Sequence, residues 1–177
     1  MNNNFSKVFK KNKYRIFLIL AIIFILSIAF IVFKKVSSEN EIAKYDNEIL
    51  IVKGNGDQLD SLTLKELRSM GSQKLDISIN NGLETTPVEG ISIEQIIGKL
   101  DYNLKDSGVM VIEDDEGNST RVAMSDVLEP GRIYLVYRID GKPIYDINPG
   151  YGKMIIIDTA TNSSAKWITN VKTLDIK

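Results

Sequence analysis

The run NSSAKWITNV, residues 162–171, sets Ser164 and Lys166 just before Trp167 and a β-branched stretch. Hydroxyls and an ammonium can hold a phosphate or another oxyanion, and an indole can wall one side of a pocket. The same residues also suit a strand whose lysine reaches water beside a core tryptophan. A second stretch able to cradle a ligand is Asn80-Asn81-Gly82, which interrupts an alternating apolar and polar pattern; these residue types also form ordinary turns. What is missing narrows the chemistry further. The chain has no histidine and no cysteine, which removes imidazole proton shuttles, thiolate nucleophiles and the usual zinc and copper ligands. No phosphate-binding glycine loop and no HExxH occurs. Lysine, tyrosine or carboxylate chemistry stays open, but no residue is assigned as catalytic or metal-ligating. The densest carboxylate run, Glu113-Asp114-Asp115-Glu116, lacks the alternate-position spacing of an EF-hand, and Gly117 beside it predicts a solvated hairpin tip. Tyr134, Tyr137, Arg121, Arg132 and Arg138 could rim an anion site, although such residues in strands more often lie on a solvated sheet face.

These residues must be positioned by alternating strands and short helices. EILIV (48–52) reads as a strand stopped by the turn-rich GNGD. Thr63 and Glu66 have capping-box spacing before a short helix ending at Gly71, and Ser92 and Gln95 spell a second box. Ile93, Ile96, Ile97 and Leu100 recur at helical spacing and should face the core. Residues 109–124 read as a hairpin through Glu116-Gly117, followed by RIYLVYRIDGKPIY with an Asp140-Gly141 turn. KMIIID (153–158) and KWITNVKTLDI (166–176) supply the last two strands. Strands outnumber helices, so the expected class is α+β with a mixed, mainly antiparallel sheet and short helices.

Residues 16–33, IFLILAIIFILSIAFIVF, carry no charge and one polar residue, Ser27. At about 1.5 Å per residue they cover roughly 27 Å, enough to span a bilayer. Five basic residues precede the span within 1–15 and only Lys34 and Lys35 follow it directly, which predicts a cytoplasmic N-terminus and an exported body. The run is longer than a signal-peptide core and no small-x-small site follows Phe33, so the expectation is a retained signal anchor. A polar stalk (34–47) and an extracytoplasmic domain (48–177) complete the expected organisation. Seven of the 22 basic residues and none of the 23 acidic residues fall in 1–35, leaving the remainder at −8. Such an acidic body argues against nucleic acid as a partner, because duplex binding needs clustered cations.

With Ser164, Lys166, Trp167 and Ile168 the chain resembles the sulfite-oxidase-like, molybdopterin-binding domain family, whose C-terminal signature runs approximately G-x-R-S-x-K-W-hydrophobic. VEGISIEQII is similar to that family's W-T-G-V-P-L-x-x-L-L, sharing Gly90 and the apolar helix. YRIDGKPIYDINPGYGKMIIID resembles A-Y-x-x-N-G-x-P-L...G-G-P-x-R-L-V-V-P, with Gly141, Pro143, Gly150 and Gly152 in comparable places. The likeness covers residues 48–177 and implies the family's fold. It also implies that a strand of the type at 75–80 leads into a loop carrying the cysteine whose thiolate binds molybdenum, while the Ser-x-Lys-Trp segment helps hold the pterin phosphate. Here that strand ends in Asn80-Asn81, Lys153 stands for the usual Arg, Asp158 for a Pro and Glu89 for a Thr. The resemblance thus implies a divergent member without the molybdenum-ligating cysteine, its pocket lined by Asn80, Asn81, Lys153, Ser164, Lys166 and Trp167. Molybdopterin is the cofactor the family implies; a neutral amide cannot replace the soft thiolate that the metal needs.

The function expected from these readings is a membrane-anchored extracytoplasmic binding module whose partner is a small ligand or an envelope protein. An alternative is a molybdopterin-dependent oxidoreductase with a substitute metal ligand such as Asp76 or Ser78. A further alternative is an unrelated structural module of the envelope.

Overall fold

The computed structural model describes residues 3–177 apart from Asp101 and Asp106, with side chains from Tyr14 onward. The chain divides into two compact units, residues 1–40 and 41–177. Residues 3–40 of the first belong to helix α1 (Asn3–Ala43), whose stretch from Tyr14 is long and apolar enough to cross a membrane and is unburied by protein. Its one hydroxyl in the apolar run, Ser27, donates back to the Ile23 carbonyl at 2.8 Å, which satisfies it without water.

The second unit opens on residues that sequence reading assigned to the stalk. Ile42 is 1% exposed and part of the core, and Asp46 accepts a 2.6 Å hydrogen bond from Arg68. A charged segment with one well-placed isoleucine thus joins the compact unit, because burying that side chain is worth about 1.5–3 kcal/mol. Strand β1 (Ile49–Gly54) turns through Asn55-Gly56 into β2 (Asp57–Thr63). Helix α2 (Leu64–Ser69) begins at the Thr63–Glu66 capping box, in which both reciprocal bonds form. Strand β3 (Gln73–Ile79) and strand β4 (Glu84–Ser92) follow, joined through Asn80-Asn81-Gly82. Strand β4 takes in Pro87 and Gly90, residue types that usually interrupt strands. Gly90 is there because β4 crosses β7 closely: a Cβ on it would overlap the Leu135 carbonyl oxygen.

Helix α3 (Ile93–Ile97) points Ile93, Ile96 and Ile97 into the core as expected. The Ser92–Gln95 box does not form: Ser92 is 1% exposed, makes no cap bond, and both Ser92 Oγ and Gln95 Oε1 lack a partner. Ser92 still belongs to β4, paired with Tyr134, so its side chain is placed by the sheet rather than by the helix. The predicted hairpin is present as β5 (Val109–Asp114) and β6 (Ser119–Ala123), followed by the short α4 (Met124–Val127). Then come β7 (Ile133–Ile139), β8 (Lys142–Pro143), α5 (Ile144–Ile147), β9 (Ile155–Asp158) and β10 (Val171–Ile176).

The strands form two sheets. One has the order β2-β1-β10-β5-β6, with β1 and β10 parallel and the other pairs antiparallel. The other runs β3-β4-β7-β8, with β9 also on β7, all antiparallel. Leu50, Val52, Ile112 and Leu174 of the first sheet and Ile91 and Leu135 of the second share one core. A smaller cluster of Ile77, Val88, Tyr134, Val136, Ile155 and Ile157 belongs to the second sheet, with Tyr151 and Trp167 packed against it. The class is α+β with mainly antiparallel pairing, as expected.

Candidate functional site

Trp167 lies where the chain crosses from one sheet to the other. Ile168 bridges to Ile156 of β9, and three residues later Val171 pairs with Asp114 of β5. The crossing segment is not a strand, contrary to the expected strand over 166–176: Ser164–Lys166 is a 3₁₀ turn, and β10 starts only at Val171. A strand cannot pair with both sheets at once, so the segment stays irregular and leaves a gap beside the β5–β6 hairpin. That gap is a cavity of about 330 Å³. Ile112 contributes to its lining from the core, Trp167 and Ile168 from the crossing segment, and Asp114, Asn118 and Thr120 from the hairpin. Lys166 also lines it, exposed and without an ion-pair partner among the described residues. Trp167 is held edge-on to Tyr151, with ring centroids 6.0 Å apart. Asp114 accepts from the Glu116 and Asn118 backbone N–H groups at 3.0 and 2.8 Å and from Asn118 Nδ2 at 2.8 Å. Those bonds hold its carboxyl below the usual carboxylate range, the Asn118 side chain contributing most. The hairpin part of the lining is therefore prearranged and locally anionic, and Lys166 adds an ammonium to the same cavity.

Of the six expected pocket residues, two line this cavity, Lys166 and Trp167. Ser164 is exposed, and its carbonyl accepts the Trp167 N–H at 3.2 Å. Asn80 and Asn81 adopt φ of 51° and 57° in an exposed turn. The Asn81 N–H donates to the Asn162 carbonyl at 2.8 Å, tying that turn to the start of the crossing loop, but neither asparagine lines the cavity. Lys153 lines a different cavity with Glu48 and Lys172. Asp114, Asn118, Thr120 and Thr169 were not expected at the site. The only sequence signal for them is the Asp-x-x-x-Asn spacing of a turn stabilised by its own carboxylate.

The tyrosines and arginines of β7 are buried rather than solvated. Arg138 is 2% exposed and pairs with Glu89 at 3.1 Å; Tyr137 bonds Ser72 Oγ and lies 3.4 Å from Glu89. Tyr134 donates to Gln73 at 3.0 Å. Arg132 is taken up by Asp126, Glu129 and Asp158 at 2.8, 2.9 and 3.3 Å, so it offers an anion little.

The chain's structure is similar to the crystal structure of the sulfane dehydrogenase SoxCD from Paracoccus pantotrophus, with a TM-score of 0.58 and 12% identity. The match covers 75% of this chain and 38% of that one. The two chains share a fold. At that level the likeness supports the distant sulfite-oxidase-like resemblance read from the sequence. This chain spans less than half the length of the dehydrogenase chain it matches. No family model matches the sequence, and no curated protein matches it.

A thiolate-held molybdenum does not fit the residues present. The strand that would lead to the metal, β3, runs into two neutral amides, and the chain has no sulfur donor but methionine. Among the described residues no three carboxylates, histidines or cysteines converge as a metal site would require.

Proposed function

We propose that this protein is a membrane-anchored, extracytoplasmic binding module on a sulfite-oxidase-like fold, and that it works without a thiolate-bound molybdenum. The carrying observation is the cavity at the sheet crossing, which Lys166, Trp167 and Ile112 line together. An indole and an apolar side chain in one lining suit a planar or apolar group, and the ammonium suits an anionic one. The span at 16–33 and the excess of basic residues before it support anchoring with the body outside. Tethering of this kind raises the module's effective concentration toward other membrane-bound partners.

The test is thermal unfolding of the full chain in detergent micelles with pterins, flavins and small anions, since a ligand of the native state raises the midpoint. A shift that disappears in both Lys166→Ala and Trp167→Ala supports the site; a shift indifferent to both places binding elsewhere. A second reading, a redox enzyme on an exported substrate, is favoured by the fold shared with a dehydrogenase. Asp76 or Ser78 of β3, both exposed, or an exogenous group would then have to ligate the metal. Elemental analysis separates the two: stoichiometric molybdenum in the purified chain would favour the enzyme.

A further inference from the structure

A separate cavity of about 130 Å³ opens at the start of β1, and Glu48, Asp115, Tyr145, Lys153 and Lys172 are among its lining residues. Its centre is a shared carboxylate. Lys153 Nζ lies 2.7 Å from Glu48 Oε2, and Lys172 Nζ bonds Glu48 Oε1. The Glu48 side chain is 13% exposed, whereas Lys153 and Lys172 are 35% and 38% exposed. An ammonium carries three donors and neither lysine has another acceptor among the described residues, so donors remain on both sides of the cavity. Lys153 is further held over the Tyr145 ring, 5.8 Å from its centroid. Asn170, also in the lining, is held in place: its N–H donates to Tyr151 O at 2.9 Å, and a Cβ on Gly152 would overlap its Oδ1. Two cations on one carboxylate sum to +1, and Asp115, which also lines the cavity, brings the formal total to zero.

We infer that this cavity is a binding site for a small tetrahedral oxyanion of the phosphate class, which shares Lys153 and Lys172 with Glu48. The cavity's volume of about 130 Å³ has room for a phosphate-sized group, since one of about 150 Å³ holds a benzene. The site shares no lining residue with the Trp167 cavity. Its oxyanion could come from free phosphate or from a phospholipid headgroup, and the experiment separates the two.

Full-length protein in phosphate-free maltoside micelles is unfolded thermally with inorganic phosphate against sodium chloride at equal ionic strength, which cancels simple screening. A parallel arm uses nanodiscs of phosphatidylcholine or phosphatidylglycerol. The wild type should gain stability with phosphate beyond chloride, or in phosphatidylglycerol beyond phosphatidylcholine, according to the source. Asp115→Asn and Glu48→Gln should each tighten the response several-fold by removing a competing negative charge. Lys153→Ala/Lys172→Ala would strand Glu48, so the informative loss is read in the triple variant that also carries Glu48→Gln, which should show no response. Absence of a wild-type response in both arms overturns the site, even if Glu48→Gln responds, because Glu48 would then be a permanent occupant. A response that survives in the triple variant overturns it as well.

Discussion

Tyr137 illustrates how one buried hydroxyl sets a pH limit. Its pKa is pushed up to about 12, first by burial and then by the Glu89 charge, against the Ser72 hydrogen bond and the Arg138 and Arg68 charges. The unfolded phenol titrates near ~10. A raised folded value means that Tyr137 contributes its full stability below about pH 10 and loses it as pH rises toward 12. Wild-type denaturant midpoints should therefore fall across that alkaline window. Tyr137→Phe should cost about 1 kcal/mol at neutral pH through the lost hydrogen bond, yet show a shallower decline above pH 10. Equal slopes for the two proteins would refute the assignment. Glu48 works at the other end of the scale: burial raises its pKa, but the Lys153 and Lys172 hydrogen bonds outweigh this and lower it. Only part of this residue chemistry was legible. Lys166 and Trp167 were visible because they are adjacent, whereas Asp114 and Thr120 reach them through the pairing of β10 with β5, which no local pattern encodes.

Elements repeat the same division between local and distant causes. Thr63-x-x-Glu66 and Ser92-x-x-Gln95 are spelled alike, yet only the first forms its box. The difference lies in what precedes the helix. Glu66 reaches back to the Thr63 N–H at 2.8 Å, while Ser92 is still held in β4 and buried. Thr63→Ala should thus destabilise the protein by about 1 kcal/mol. Ser92→Ala, which deletes a buried hydroxyl without a partner, should be neutral or stabilising in the same chemical denaturation series. A loss at Ser92 as large as that at Thr63 would show that its hydroxyl is satisfied in solution. Strand β4 was missed for an analogous reason. No alternation marks residues 84–92 as a strand, and its Gly90 is set by close packing against β7, a distant partner. Division into two sheets was likewise invisible, since alternation identifies strands without saying which strands pair.

For the molecule as a whole, the total absence of cysteine matters beyond the missing metal ligand. A domain without disulfides depends on its core and buried ion pairs for stability. The same absence makes topology directly measurable, because any introduced thiol is unique. Leu83 is 81% exposed in the turn after β3, so Leu83→Cys should leave the fold intact. Ser6 precedes the apolar run, on the side that the positive-inside rule assigns to the cytoplasm. In intact cells stripped of wall, a membrane-impermeant maleimide should label Leu83→Cys fully and Ser6→Cys only after lysis. Reversed labelling would place the domain inside and remove the extracytoplasmic reading. Labelled Leu83→Cys that appears in the medium instead of the membrane fraction would mean that the span is cleaved. With labelling at the outer face and retention in the membrane, both cavities lie in a layer bounded by the tether, where ligand and partner meet the module at high effective concentration.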